Sequence, residues 1–579
     1  MLDKSQEGVS LLALCAAEPE TDIGNGRRFQ HRHGRDVLFA AKIGWHGYDG
    51  LRWREDEDGS VVRPLSHQTA EAIRLECREI SLTTAEELLV EAGSDAERDL
   101  PSIEAAGNAS GVSAAKKAIA ERDRILAKLE DRAAARARHA KSTAGSGKLD
   151  NMLKEAAPYL SKTVDLFNGE DLALNTRSGT LRFVRALEDP ESDPDHPVFL
   201  WGVRLDDWNR DDLITKLCDA HIQCADGYLT PGPTVMGAEQ FEEAARILAP
   251  TFFQFLQRVQ PKVEMRRYLQ RLSGYMLTGL TSEQMIAFFY GIGANGKSTF
   301  TDVIAKILAD YAVTLSIDSF TGESRRSGAE ATPDLARLNG ARGCLASEGD
   351  EGAKLREGLI KLLTGGDKMA VRKLHQDFVE IVIKAKFVIT GNHKPRILGD
   401  DDGIWRRVHL FEWGVQIPPA ERDKTLPERL LAERDGILAW MISGALEFLS
   451  LGGLEPPKEV LAAVQEHREE SDPVGAFIRV ACDVTGEDLH SVSPGDLYLA
   501  YSVFCRQEGQ YAFPQSTFTR RLPDQTRRSW KAPDGTMQMF SKRKSGATLY
   551  RGIRIKERFQ PGPNATHSDT GDRPFAPRD

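Results

Sequence analysis

Residues 287–304 read AFFYGIGANGKSTFTDVI: an apolar run, a glycine-rich turn, a Lys-Ser pair and an amphipathic stretch. Residues 285–290 have the length of a buried strand, and Phe300, Val303, Ile304, Ile307 and Leu308 follow the i, i+3, i+4, i+7, i+8 rhythm of a packed helix. Between them, Gly291-Ile-Gly-Ala-Asn-Gly296-Lys297-Ser298 satisfies G-x-x-x-x-G-K-[ST]. Glycines let the chain turn tightly, so that successive N–H groups point at phosphate oxygens, and the helix N-terminus adds favourable partial charge. In that chemistry Lys297 reaches the β- and γ-phosphates and Ser298 ligates Mg²⁺. An incidental glycine turn ahead of a helix is the competing reading. The motif alone names an NTPase without naming its work.

Such an enzyme needs a carboxylate at the end of a nearby strand, to act on the water and metal around the γ-phosphate. RGCLASEGDEG supplies one about fifty residues after Lys297: a strand-like run that ends at Glu348, with Asp350 and Glu351 behind it. Further on, VEIVIKAKFVITGNHKPRI gives two strand-like runs, the second ending at Asn392, an amide suited to sensing the γ-phosphate or orienting water. DDGIWRRVHLFEW then places Arg406 and Arg407 before another β-like run, where an arginine supplied across a subunit boundary stabilises transferred phosphoryl charge. Taken singly, Glu348 serves equally as a helix cap, Asn392 as a turn residue and the arginines as surface charges. Their shared order after the glycine loop favours the functional reading.

The rest of the composition bounds the answer. A chain of 579 residues exceeds one core and divides into three or four folding units. With 41% apolar and 28% charged residues it is globular, and seven scattered cysteines without zinc-ligand spacing read as reduced thiols of a cytoplasmic protein. No apolar run approaches the roughly 20 residues that span a bilayer. A formal net charge of −10 excludes a uniformly basic nucleic-acid binder but not a local basic patch.

Along the chain, residues 1–27 lack apolar periodicity and are expected to be flexible. Short strands with turns at Tyr48-Asp49-Gly50 and Asp58-Gly59 follow, then a charged, alanine-rich helix over residues 114–140 that reads as solvated or weakly packed. LALNTRSGTLRF is expected to form two strands around Ser178-Gly179, and the pattern becomes helical from about Glu239. Residues 520–558 carry twelve Lys/Arg against three acids. There PQSTFTRRL has the character of a recognition helix, and TMQMFSKRKSGATLYRGIRI reads as a two-stranded wing with a basic turn. A module for protein contacts is the alternative. The Pro-, Gly- and Asp-rich end is expected to be disordered.

GIGANGKST, DLARLNGARGCLASE, IKLLTGGDKMAVRKLHQDF, KFVITGNHKPRI and DDGIWRRVHLFEW, in this order, resemble the phage and plasmid primase-helicases, relatives of the poxvirus-type NTPase within superfamily III helicases. The resemblance implies an α/β, AAA+-like P-loop NTPase core over residues 239–450. Around it would stand a flexible N-terminus (1–27), an α+β accessory domain (28–238), a C-terminal winged-helix domain (451–560) and a disordered tail (561–579). It makes Gly291, Gly293, Ala294, Asn295, Gly296, Lys297, Ser298 and Thr299 the ATP cradle, Ser298 and Glu348 the Mg²⁺ residues, Asn392 the sensor and Arg406 or Arg407 a finger acting in trans. Arg372, Lys373 and His375 would belong to a DNA-contacting hairpin in a ring channel, and Arg520, Arg521, Lys542, Arg543 and Lys544 to the DNA-binding winged helix.

The implied protein is a cytoplasmic, ATP- and Mg²⁺-dependent replicative helicase that acts as a homo-oligomeric ring, a hexamer, on DNA and not on a membrane. Many relatives carry a primase module upstream. Here the family-like accessory region begins near residue 28, so primer synthesis is expected from a separate primase or polymerase. Two alternatives stay open: a bifunctional primase-helicase, and a nucleotide-controlled DNA-binding initiator that does not unwind.

Overall fold

The computed structural model describes residues 10–188, 198–322, 332–347, 354–372, 377–397, 402–509 and 511–560. At its centre is a five-stranded sheet made of β1 (Ile286–Tyr290), β2 (Ala312–Ser316), β3 (Gly343–Ser347), β6 (Lys386–Thr390) and β7 (Val408–Glu412), in the order β2-β3-β6-β1-β7. All neighbours are parallel. The helices α1 (Lys297–Leu308), α2 (Glu357–Thr364) and α3 (Asp402–Trp405) and a hairpin, β4 (Lys368–Val371) and β5 (Val379–Val382), lie between these strands in sequence. The architecture is mixed α/β.

Covering both faces of a parallel sheet makes its strands apolar throughout, and β1 shows how the period of two divides them. Ala287 and Phe289 enter one core with α1, while Ile286 and Phe288 enter a second with Val313, Leu315 and the inward residues Val371 and Ile381 of the hairpin. The first core also receives helices Val263–Tyr275 and Arg434–Leu451. Helix Arg434–Leu451 is apolar around its whole circumference and accordingly buried. Gly274 and Gly444 let these two helices touch: a Cβ on Gly444 would lie 2.2 Å from the Gln270 carbonyl oxygen.

The first core does not stop at the boundary expected between residues 238 and 239. Strands Ala173–Thr176, Gly179–Glu188 and Phe199–Asp206 send Leu174, Leu181, Phe183, Val203 and Leu205 into it. Below the sheet, buried Arg342 and Lys386 donate to backbone carbonyls rather than carboxylates: Arg342 to Glu170, Ala173 and Leu277, Lys386 to Thr278 and Lys384. Lys384 adds bonds to the carbonyls of Asn168 (3.1 Å) and Gly169 (3.3 Å).

The flexible segment expected over residues 1–27 is structured from Leu11. Helices Leu11–Ala16 and Asp22–His33 are capped by Ser10 and Thr21, whose hydroxyls accept from Ala13 and Gly24 N–H, each at 3.1 Å. Six residues are too few to show periodicity. What holds them is a buried ion cluster: Glu76, fully enclosed, joins Arg28 and Arg136, and Arg28 also donates to the carbonyls of Glu18 (2.6 Å) and Pro19 (2.7 Å). The helix expected over residues 114–140 runs over Ala109–Thr143 and packs along Thr84–Ala105, where Gly93 lets the two approach. The two strands expected around Ser178-Gly179 are present.

Residues 474–559 have a core of their own, with Phe477, Tyr501, Phe518 and Tyr550 buried in it. Helices Pro473–Ala481, Pro494–Gln507 and Gln515–Gln525 are followed by the antiparallel pair Ser541–Ser545 and Ala547–Arg551, which turns at Gly546 (φ 77°). The basic turn expected there is a basic strand instead. Lys542, Arg543 and Lys544 stand exposed on its first arm, because the tight turn needs the glycine that follows them. The expected disordered tail, 561–579, lies outside the described residues.

Candidate functional site

Because the five strands are parallel, the loops after β1, β3, β6 and β7 emerge at one edge of the sheet, where open α/β sheets hold ligands. The loop from β1 to α1 needs two of its glycines. Gly291 has φ 143° and Gly296 φ 86°; a Cβ on Gly291 would lie 2.4 Å from the Trp413 carbonyl oxygen, and one on Gly296 2.7 Å from Val259. Ala294 adopts the left-handed conformation as well (φ 60°), while Gly293 is open.

The loop is braced from beneath. Asn295, buried, donates to the Trp413 carbonyl at 2.9 Å, and the Ala294 carbonyl accepts from Ile417 N–H at 2.8 Å. Lys297 is 6% exposed, its ammonium folded back onto the Gly291 carbonyl at 2.5 Å, and burial holds its pKa below the usual lysine range. Ser298 is exposed and Thr299 half-buried at the start of α1. Among the described residues no acceptor meets the N–H groups of either, as is usual in the first turn of a helix. A cavity of about 270 Å³ lies beside the loop, lined by Val259, Pro261, Met265, Val415, Glu459 and Ala463 among others.

Ser347, the last residue of β3, pairs with Thr390 of β6. Glu348 follows it directly but lies outside the described residues, as do Asp350 and Glu351. Asn392 is exposed just past β6, beside Gly391, whose N–H donates to the Phe289 carbonyl at 2.9 Å. Asn392 and the glycine loop therefore share one edge.

Arg406 and Arg407 are at the other. Ile286, the first residue of β1, donates to the Arg407 carbonyl at 2.7 Å, which puts the pair about 15 Å from Gly291, the length of a five-residue strand. Arg407 is buried and donates to Thr364 Oγ1 (3.0 Å), the Gly403 carbonyl (2.6 Å) and Gln284 Oε1 (3.0 Å). Arg406 is exposed and donates to Gln284 Oε1 at 3.2 Å.

The hairpin expected to touch DNA is formed by β4 and β5. Arg372, at its described end, lies over the Phe378 ring at 4.8 Å; Lys373 and His375 lie outside the described residues. Arg520 is exposed on helix Gln515–Gln525, and Arg521 is half-buried over the Phe513 ring at 4.7 Å. Sequence reasoning missed Trp413, Gln284 and Val259. Trp413 serves the loop through its backbone carbonyl, which no side-chain pattern marks, and the other two act through contacts between distant segments.

Comparison with known proteins adds similar families and relatives. Residues 26–196 match the D5 N-terminal-like family, and residues 289–407 match a family of unknown function (DUF5906). A protein of Acanthamoeba polyphaga mimivirus named "Putative helicase" is 29% identical over 42% of this chain and 27% of its own length. A "Putative helicase" of Frog virus 3 is 26% identical over 39% of this chain and 25% of its own, and a "Putative primase" of African swine fever virus 26% over 28% and 17%. The chain thus spans about a quarter or less of these relatives. Among solved structures, the C-terminal region of NrS-1 aligns over 65% of this chain and 97% of its own at 11% identity, with a TM-score of 0.33. The D5 N-terminal-like match over residues 26–196 and the run of viral relatives named helicase or primase support a kinship with the phage and viral primase-helicases.

Proposed function

We propose that this protein is an ATP- and Mg²⁺-dependent replicative DNA helicase of a phage, prophage or plasmid, working in the cytoplasm as a ring, a hexamer. One observation carries the reading: the glycine loop and Asn392 share one edge of the parallel sheet, while exposed Arg406 stands at the opposite edge. An arginine there is too far to serve its own loop and is available to a neighbour's, which supports catalysis shared between subunits.

The residues fit the nucleotide. Gly291 and Gly296 clear the space a Cβ would fill, unpaired N–H groups open the helix, and Lys297 is pre-positioned to exchange the Gly291 carbonyl for a phosphate oxygen. The cavity beside the loop, where Val259, Met265 and Val415 stand with Lys262, Glu412 and Glu459, takes the base. The exposed Ser298 hydroxyl, with Glu348, would hold Mg²⁺, which would supply neutralisation of charge developing on the phosphates. Asn392 orients water at the γ-phosphate, and Arg406 stabilises charge on a neighbour's nucleotide. The β4/β5 hairpin then tracks the strand in the channel, and the C-terminal unit, as a winged helix, holds DNA through Arg520, Arg521, Lys542, Arg543 and Lys544.

DNA-stimulated ATP hydrolysis and fork unwinding by wild type, Lys297→Ala and Arg406→Ala test this. A wild type that hydrolyses ATP but displaces no strand at forks of either polarity refutes the helicase. The African swine fever virus relative favours a second reading, a chain that also makes primers. Primer synthesis by the purified protein on a single-stranded template would establish it.

A further inference from the structure

We propose that the cleft between helix Lys458–Glu470 and the C-terminal unit is a binding site for the sugar-phosphate backbone of DNA, separate from the basic strand Ser541–Ser545. The inference rests on the DNA-translocating reading above and deepens it: Arg520 and Arg521, assigned to DNA there, belong to this cleft, and Lys531 and the cleft's other cations join them.

The cleft encloses about 1370 Å³, roughly five times the cavity beside the glycine loop, too large for a single nucleotide to fill. Eight Lys/Arg line it against four Asp/Glu, and none of Lys542, Arg543 or Lys544 is among them. Each of the four acids is matched to a cation: Asp402 to Arg468, Glu469 to Arg479 (3.5 Å), Asp483 to Lys556 (3.9 Å) and Asp524 to Arg527 (3.9 Å). Exposed Arg520 and Lys531 have no carboxylate partner among the described residues, so the surplus is positive. A polar, open cleft with surplus cations suits a polyanion rather than an apolar ligand.

The walls are fixed in place. Asp472 is 1% exposed at the joint between helices Lys458–Glu470 and Pro473–Ala481. It accepts from Gly475 N–H (2.9 Å), Gln525 Nε2 (3.1 Å) and Arg528 Nη1 (2.6 Å), which sets helix Gln515–Gln525 against its neighbour.

One helix also joins this cleft to the nucleotide edge. Helix Lys458–Glu470 contributes Glu459 and Ala463 to the cavity beside the glycine loop, and Gln465, Arg468 and Glu469 to the cleft. Between these ends it is tied to the segment after Asn392: Lys394 pairs with Glu466 and Glu470, both at 3.2 Å, and His467 Nε2 bonds the Pro395 carbonyl at 2.7 Å. DNA in the cleft and nucleotide on the loop thus bear on the same rigid element, and any coupling between them is reciprocal.

The test is fluorescence anisotropy of a short labelled single strand and of the matching duplex, over a salt series, with wild type, Arg520→Glu/Lys531→Glu and Arg520→Lys/Lys531→Arg. Charge reversal should weaken binding about tenfold or more for whichever DNA the cleft holds, and lower the salt slope by about 2. The conservative pair should restore both values. An unchanged thermal midpoint shows that the reversed variant is folded; should it not be, Arg520→Gln/Lys531→Gln reads the same slope. A folded variant that binds both DNAs with wild-type affinity and slope overturns the cleft alone. A wild type that binds neither DNA overturns the translocating reading along with it.

Discussion

Arg406 and Arg407 donate to the same atom, Gln284 Oε1, at 3.2 and 3.0 Å, yet only Arg407 is buried. Neighbours in sequence therefore have different work. Arg407→Ala should cost about 2–4 kcal/mol of stability, read as a lower urea midpoint, because it removes a buried, hydrogen-bonded cation. Arg406→Ala should move that midpoint by less than about 0.5 kcal/mol while lowering kcat for ATP about 10³-fold. Mixing inactive Arg406→Ala with inactive Lys297→Ala should restore activity, since a mixed interface pairs an intact loop with an intact arginine. No recovery from a mixture shown to co-assemble would place the arginine outside catalysis in trans.

If the cavity beside the loop holds the base, filling it should matter for nucleotides and not for bare phosphates. Val415→Phe should weaken ATP binding at least tenfold, measured by competition, and leave inorganic tripolyphosphate binding within about twofold, an effect of roughly 1.4 kcal/mol confined to one ligand. Equal losses for both ligands would mean that the substitution disturbs the phosphate loop instead.

His409 on β7 faces the Tyr268 hydroxyl, and burial holds its pKa down at about 4. The unfolded chain takes up that proton near pH 6.5. Stability from a neutral His409 is therefore complete above pH 6.5 and declines as pH falls toward 4, by on the order of 2–3 kcal/mol. Other histidines, buried His467 and half-buried His33 and His139, are shifted the same way, so the quantity to measure is the difference between wild type and His409→Phe. The variant should lose one proton's worth of slope in the unfolding free energy across this window; parallel curves would refute the assignment.

Glu76→Ala leaves Arg28 and Arg136 buried without their shared carboxylate. The expected cost is about 3–5 kcal/mol. Hydrogen exchange should rise first in helices Leu11–Ala16 and Asp22–His33, which the cluster holds. Protection there equal to wild type would show that the caps suffice.

Much of the sheet was legible because its strands are short apolar runs punctuated by glycine, and the loop because its backbone geometry admits few residues at positions 291 and 296. The order of motifs located Asn392 next to the loop, since parallel strands bring their ends to one edge. Less could be read where the acting atom is a carbonyl, as in Trp413, or where a charge is answered far away in the chain, as Glu76 answers Arg28 and Arg136. Nothing in WRR distinguishes its arginines; only the acceptors at Thr364 and Gly403 do so.

The carbonyl ties of Arg342, Lys384 and Lys386 bear on how this chain can be divided. A gene fragment starting at residue 239 would keep the glycine loop, Asn392 and Arg406 yet deprive Arg342 of the Glu170 and Ala173 carbonyls, Lys384 of those of Asn168 and Gly169, and the first core of the leucines at 174, 181 and 205. Such a fragment should be insoluble or protease-sensitive when expressed alone. The smallest autonomous version of this chain should start well upstream of the glycine loop.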